Sequence, residues 1–156
     1  TLYPDRHRAF VTAVTDGSGR ADFALIDAAS SLHPQAVLAR TQNRQLFADI
    51  HAALRPGGVF VMADLVEPVT VAGRKVAGDA WDAETRRRAL DTDGTLEGYE
   101  RFVAEDWNYY RLPGPDPLDK PSSVVELLDW LGAAGFAGVD LHWMKAGHVI
   151  MSGVRG

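Results

Sequence analysis

Two short stretches that are apolar at nearly every position, Phe23–Ala28 and Val59–Ala63, constrain this chain most. A run of this kind suits a strand of a parallel sheet buried on both faces, because a half-exposed strand would alternate apolar and polar residues. Between the two runs, Leu46, Phe47, Ile50 and Leu54 recur at helical spacing. The spacing predicts a helix over 43–54, with Asn43 as its N-cap. Arg55-Pro-Gly-Gly58 ends that helix, since proline cannot continue it and glycine supplies positive φ. Strand, helix, tight turn and strand make a βαβ unit, which places the two strands parallel.

Composition removes several classes of function. The 156 residues fit one domain. Sixteen basic against twenty-one acidic side chains give a net charge of −5, with no basic surplus for a nucleic-acid backbone. Cysteine is absent, which excludes disulfides, thiolate zinc sites and cysteine nucleophiles. No run reaches the ~20 apolar residues of a membrane span, and 1–8 lacks the apolar core of a signal peptide. A soluble, cytoplasmic domain is the expectation. The five histidines show no HxH or HxxxH spacing, so no metal site is expected. Only three of the sixteen basic residues are lysines, a bias associated with GC-rich bacterial genomes.

The rest of the chain reads less evenly. Residues 67–78 look like a loop, followed by helices at about 79–90 and 96–109, the second with Tyr99, Phe102, Val103 and Trp107 on one face. Leu112-Pro-Gly-Pro-Asp-Pro117 is a cluster of helix breakers. Ser123 and Glu126 have the spacing of a capping box, opening a helix with the stripe Val124, Leu127, Leu128, Leu131 and with Gly135 as its C′ residue. Val139–Trp143 and Val149–Val154 then form a hairpin around Met144-Lys-Ala-Gly147. Alternation along the first of these strands sends His142 and Trp143 to opposite faces. Arg86-Arg-Arg88 reads as a solvated helix face.

In this order the parts resemble a class I S-adenosylmethionine-dependent methyltransferase from its fourth strand onward. The residues that carry the resemblance are the strand 23–27, His33, the helix 43–54, Leu54-Arg-Pro-Gly-Gly58, the strand 59–63, Ala134-Gly-Phe136 and the closing hairpin. The resemblance implies a partial Rossmann-like α/β fold over 1–156. Its mixed sheet has the strand order four-five-seven-six, with an antiparallel hairpin at the end and a helical insertion at about 67–121. The chain departs from the family ahead of Phe23, where neither a Gly-rich cofactor loop nor the acidic residue after strand two is found. Asp16-Gly-Ser-Gly19 lies only about four residues before the next strand, too close for the helix that such a loop opens. The chain therefore looks like the C-terminal half to two-thirds of such a domain.

Ligands of open α/β sheets lie beyond the carboxyl ends of the strands. By resemblance, Asp27, Ala28, Ala29 and Ser30 line the methionine side of S-adenosylmethionine, His33 lies near the transferred methyl, and Asp64 faces the acceptor. His33 and Asp64 are the catalytic candidates, against the plainer readings of a helix-entry histidine and a turn-capping carboxylate. Trp81, Trp107, Tyr109, Tyr110 and Arg111 lie in the insertion. There Trp81, Trp107 and Tyr110 can enclose a small-molecule acceptor or pack the insertion onto the sheet, and Arg111 can pair with an acceptor carboxylate or stay solvated. His142, Trp143 and His148 flank the hairpin. The activity implied is methyl transfer to a small molecule. Its rivals are a non-catalytic methyltransferase-like subunit and a repurposed pocket acting on a natural product. With strand one missing, the strand 23–27 would be an open apolar edge. Residues 8–14, a second copy in a homodimer, an N-terminal subunit or an upstream segment should cover it.

Overall fold

The computed structural model describes residues 12–15, 21–27, 40–113 and 121–156, with side chains from Arg44 onward. One five-stranded sheet organises them. β1 (Thr12–Thr15) pairs antiparallel with β2 (Ala21–Asp27), and α1 (Arg40–Ala53) leads into β3 (Leu54–Leu65). Two helices, α2 (Val71–Asp93) and α3 (Glu97–Ala104), and a 3₁₀ turn at Tyr109–Arg111 follow. The chain then enters α4 (Val124–Ala133) and closes with β4 (Phe136–Lys145) and β5 (His148–Arg155). The spatial order is β1-β2-β3-β5-β4. β2 and β3 are parallel, and β5 lies antiparallel between β3 and β4. From β2 onward this is the order four-five-seven-six expected from the family resemblance.

β1 answers the question of the open edge. Thr12, Ala13, Val14 and Thr15 pair with Leu25, Ala24, Phe23 and Ala21. Of the substitute element proposed at 8–14, residues 12–14 belong to β1, which covers β2 over Ala21–Leu25, and residues 8–11 lie outside the described residues.

The core lies on one face of the sheet. Leu46, Phe47 and Ile50 of α1 and Leu127, Trp130 and Leu131 of α4 pack onto Phe60 and Met62 of β3 and Met151 of β5. Along β3, Phe60 and Met62 are buried while Val59, Val61 and Ala63 are half-buried. The apolar run is thus covered fully on one side only, unlike the two-sided burial its composition suggests. The capping box of α4 forms as expected. Ser123 Oγ accepts from Glu126 N at 3.3 Å, and Glu126 Oε2 accepts from Ser123 N at 3.0 Å. Gly135 follows with φ 99°.

Several boundaries differ from the sequence reading. α1 begins at Arg40, so Asn43 lies inside the helix and is not its cap. The segment 67–78 is not a loop throughout, because α2 starts at Val71, where Thr70 Oγ1 accepts from Gly73 N at 2.9 Å. The sequence hides this start because only Ala77, Gly78 and Ala89 of α2 are buried, leaving no apolar stripe to read. The helix expected over 96–109 ends at Ala104, and the chain then turns at Asp106, whose φ is 52°. In β4 the register skips between Leu141 and Trp143. This bulge leaves His142 Nε2 2.6 Å from Ser152 Oγ, on the face where Trp143 opposes Ile150. His142 and Trp143 therefore share a face, contrary to simple alternation.

Of the two glycines in Arg55-Pro-Gly-Gly58, Gly57 takes the positive φ, 78°. A Gly57→Val change is expected to lower stability by about 1–2 kcal/mol through left-handed backbone strain alone, since nothing lies within 4 Å of a Cβ there. Denaturant midpoints of the variant and its parent measure this directly.

Candidate functional site

Parallel pairing aligns the carboxyl ends of β2 and β3: Asp27 pairs with Ala63, and Asp64 is the next residue along β3. The antiparallel start of β5 arrives at the same edge, with His148 opposite Leu65. One edge thus gathers Asp27, Asp64 and His148, which are far apart in sequence. Asp64 is half-buried, and its Oδ1 accepts from Leu65 N at 2.7 Å. Ala28, Ala29, Ser30 and His33 lie outside the described residues.

The insertion is fastened to that edge by Tyr110. Its hydroxyl donates to Val66 O at 2.6 Å and lies 3.2 Å from Gly147 O, which also accepts from Val66 N at 2.9 Å. Tyr110 is 6% exposed, and its burial pushes the phenol pKa well up, so the hydroxyl keeps its proton. Asn108 sets the turn below it. Its Nδ2 donates to Gly78 O at 3.0 Å and Asp82 Oδ1 at 2.7 Å, and its Oδ1 accepts from Tyr110 N at 3.1 Å. Arg74 supports the same turn. It donates to both oxygens of Glu67 at 2.7 Å and to Tyr109 O at 2.8 Å, with its guanidinium 4.6 Å from the Tyr109 ring centroid.

Trp81 joins this cluster from α2. Its ring centroid is 5.9 Å from those of both Phe102 and Tyr110, and 4.5 Å from that of His148 in an edge-on contact. The structure therefore brings together Trp81 and Tyr110 but not the other two insertion candidates. Trp107 is 55% exposed, with Arg101 5.7 Å over its ring. Arg111 donates to Asp82 Oδ2 at 2.7 Å and Asp79 Oδ1 at 2.6 Å. Those two carboxylates raise its pKa and already match its charge. A second polar tie joins α2 to the hairpin: Lys145 donates to Glu84 at 2.8 Å. Hydrogen bonds from Arg87, Lys145 and Arg88 hold the Glu84 carboxyl well below the usual carboxylate range. Arg87 and Arg88 of the basic triplet are thus paired along the helix.

Sequence reasoning passed over Arg74, Asn108 and Gly147, which build the site's frame. Gly147 alone left a signal, as the glycine of a tight hairpin turn. Among the described residues, no group of three His, Asp or Glu side chains could hold a metal ion, and no helix is long and apolar enough to cross a membrane.

No protein-family model matches the chain, and no curated protein matches it. Solved structures do. An O-methyltransferase family protein from Burkholderia thailandensis superposes over 90% of this chain and 32% of its own, at 13% identity and a TM-score of 0.50. The chain has a methyltransferase fold. Two further likenesses are the S-adenosylmethionine-dependent methyltransferase SibL and human N-acetylserotonin methyltransferase solved with SAM. SibL is 19% identical over 86% of this chain and 31% of its own, with a TM-score of 0.47. The human enzyme is 14% identical over 91% of this chain and 31% of its own, with a TM-score of 0.46. The chain thus spans about a third of the length of these methyltransferases, and it carries the partial Rossmann-like α/β sheet with a helical insertion between β3 and α4.

Proposed function

We propose that this chain is the C-terminal, acceptor-side part of an enzyme that transfers a methyl group from S-adenosylmethionine to a small molecule. The observation that carries the reading is the strand order β2-β3-β5-β4, with β5 antiparallel beside β3, in a fold shared with a solved O-methyltransferase. That order brings Asp27, Asp64, His148 and the insertion to one edge, where α/β sheets take their ligands. Asp27, with Ala28, Ala29 and Ser30 beyond it, would hold the methionine part of S-adenosylmethionine. His33 and Asp64 remain the candidates for work on the acceptor. Bound there, S-adenosylmethionine supplies an electrophilic methyl group. The protein's share is to orient the acceptor and keep water out, the task to which an aromatic-walled insertion fastened over the edge is suited.

The reading makes a quantitative demand. No Gly-rich loop precedes β2, so the 156-residue chain alone should bind S-adenosylmethionine with a Kd weaker than roughly 100 μM. Low-micromolar calorimetric binding by the isolated chain would overturn that expectation. The function itself is tested on the protein purified from its natural source, incubated with methyl-labelled S-adenosylmethionine and a small-molecule extract. Label in the extractable fraction is the expected result. Absence of label together with absence of S-adenosylhomocysteine binding would sink the enzyme reading and favour a non-catalytic methyltransferase-like subunit.

A further inference from the structure

α2 carries a second row of side chains, opposite the one it buries. Ala77, Gly78 and Ala89 face the fold, with half-buried Trp81 between them. At about 100° per residue, the other side of the helix carries Ala72, Val76, Asp79, Ala83, Arg86 and Leu90. All six are exposed, Val76 at 67% and Leu90 at 46%. Their spacing alternates four and three residues, which is the seam of a two-helix coiled coil. Apolar residues exposed singly are ordinary, but a row of them at seam spacing along a 23-residue helix marks a contact surface.

The two charged residues of the seam decide the partner. Arg86 makes no ion pair among the described residues, while its neighbours Arg87 and Arg88 pair with Glu84. Asp79 accepts from Lys75 and from Arg111, each at 2.6 Å, and a carboxylate has lone pairs left for a third donor. Two copies of α2 laid parallel and in register would set Asp79 against Asp79 and Arg86 against Arg86. Laid antiparallel about a two-fold axis near residue 81, they set Leu90 against Ala72 of the second copy, and Val76 against the apolar stem of its Arg86. Each Asp79 then stands one seam position from Arg86 of the other copy, so opposite charges meet twice. We propose that this protein dimerises through α2, which pairs antiparallel with α2 of a second copy along this seam. A contact of this kind is self-complementary and closes at two copies. One helix pair is a small interface, so the association belongs to the weak, concentration-dependent class. Dimerisation is independent of the methyl transfer proposed above.

Sedimentation equilibrium of the chain should give a mass that rises with concentration from the monomer value toward twice that value. Val76→Glu combined with Leu90→Glu should leave a monomer throughout, with the helical circular dichroism of the parent, since both positions are exposed in the single chain. Arg86→Glu should weaken association at least about tenfold, because it opposes like charges at two places. Cross-linking reads the orientation, and the chain has no cysteine of its own to interfere. An Ala72→Cys chain mixed with a Leu90→Cys chain should form a mixed disulfide on oxidation. Neither should link to itself, because like positions lie roughly 27 Å apart along antiparallel axes. A monomer at every concentration up to roughly 1 mM would overturn the proposal and leave the seam to another part of a longer protein or to a different partner. A dimer that persists in the Val76→Glu, Leu90→Glu variant, unchanged association of Arg86→Glu, or self-linking of each cysteine variant would overturn it as well.

Discussion

Replacing Phe60 with alanine should lower stability by about 3–5 kcal/mol, the cost of emptying a large aromatic position in a core that relaxes only in part. Phe60 is fully buried in β3. Its ring centroid is 5.9 Å from that of Phe47 on α1 and 5.5 Å from that of Phe136 at the start of β4. One side chain thus joins helix, central strand and hairpin. A domain of this size has a total stability of about 5–15 kcal/mol, so the loss would take at least about a fifth of that margin. Val59→Ala, one residue away on the half-buried face, is the control and should cost less than half as much. Urea midpoints with an unchanged slope measure both. Equal losses at 59 and 60 would mean that both faces of β3 are packed alike, against the burial pattern described above.

What the sequence revealed and what it hid divide along a physical line. Elements built by apolar periodicity were legible: the two parallel strands, the helix through Leu46, Phe47 and Ile50, and the Ser123–Glu126 capping box all stand near their expected places. The start of the long helix α2 was not, because α2 meets the fold through Ala77, Gly78 and Ala89 and through polar ties from Arg74, Asp79 and Asp82, although its later part was read as a helix at about 79–90. Small residues allow this close approach, and a Cβ on Gly78 would stand 3.3 Å from Tyr110 Cβ. Such contacts have no hydropathy signature. The bulge at His142 was hidden for a related reason, since one skipped residue changes the facing of a side chain without changing composition. At the site, the strand ends placed Asp27 and Asp64 correctly at one edge. His148 gained its position only from the insertion of β5 beside β3, a pairing between segments more than eighty residues apart.

Gly147→Ala should be among the most damaging single changes in the chain, costing about 2–5 kcal/mol, and the loss should depend on residue 110. The turn Ala146–Gly147 has positive φ at both positions, 51° and 77°, as a two-residue hairpin turn of right-handed strands requires. Left-handed strain on a new side chain at 147 accounts for roughly 1–2 kcal/mol. The larger part is steric. A Cβ at 147 would lie 1.9 Å from the Tyr110 hydroxyl oxygen and 2.4 Å from its Cζ, so the ring must leave its seat. Displacing it removes the hydrogen bond to Val66 O and opens the contact with Trp81, with a penalty of roughly 1–3 kcal/mol for the unpaired buried groups. A double-mutant cycle separates the two contributions. In a Tyr110→Ala background the collision is gone, and Gly147→Ala should then cost only the backbone strain. The coupling between the two positions should reach at least about 1.5 kcal/mol, well above the scatter of independent sites. If Gly147→Ala costs the same in both backgrounds, Tyr110 does not seat on the hairpin turn, and the insertion is held to the sheet by the Lys145–Glu84 tie and the Trp81 contacts instead.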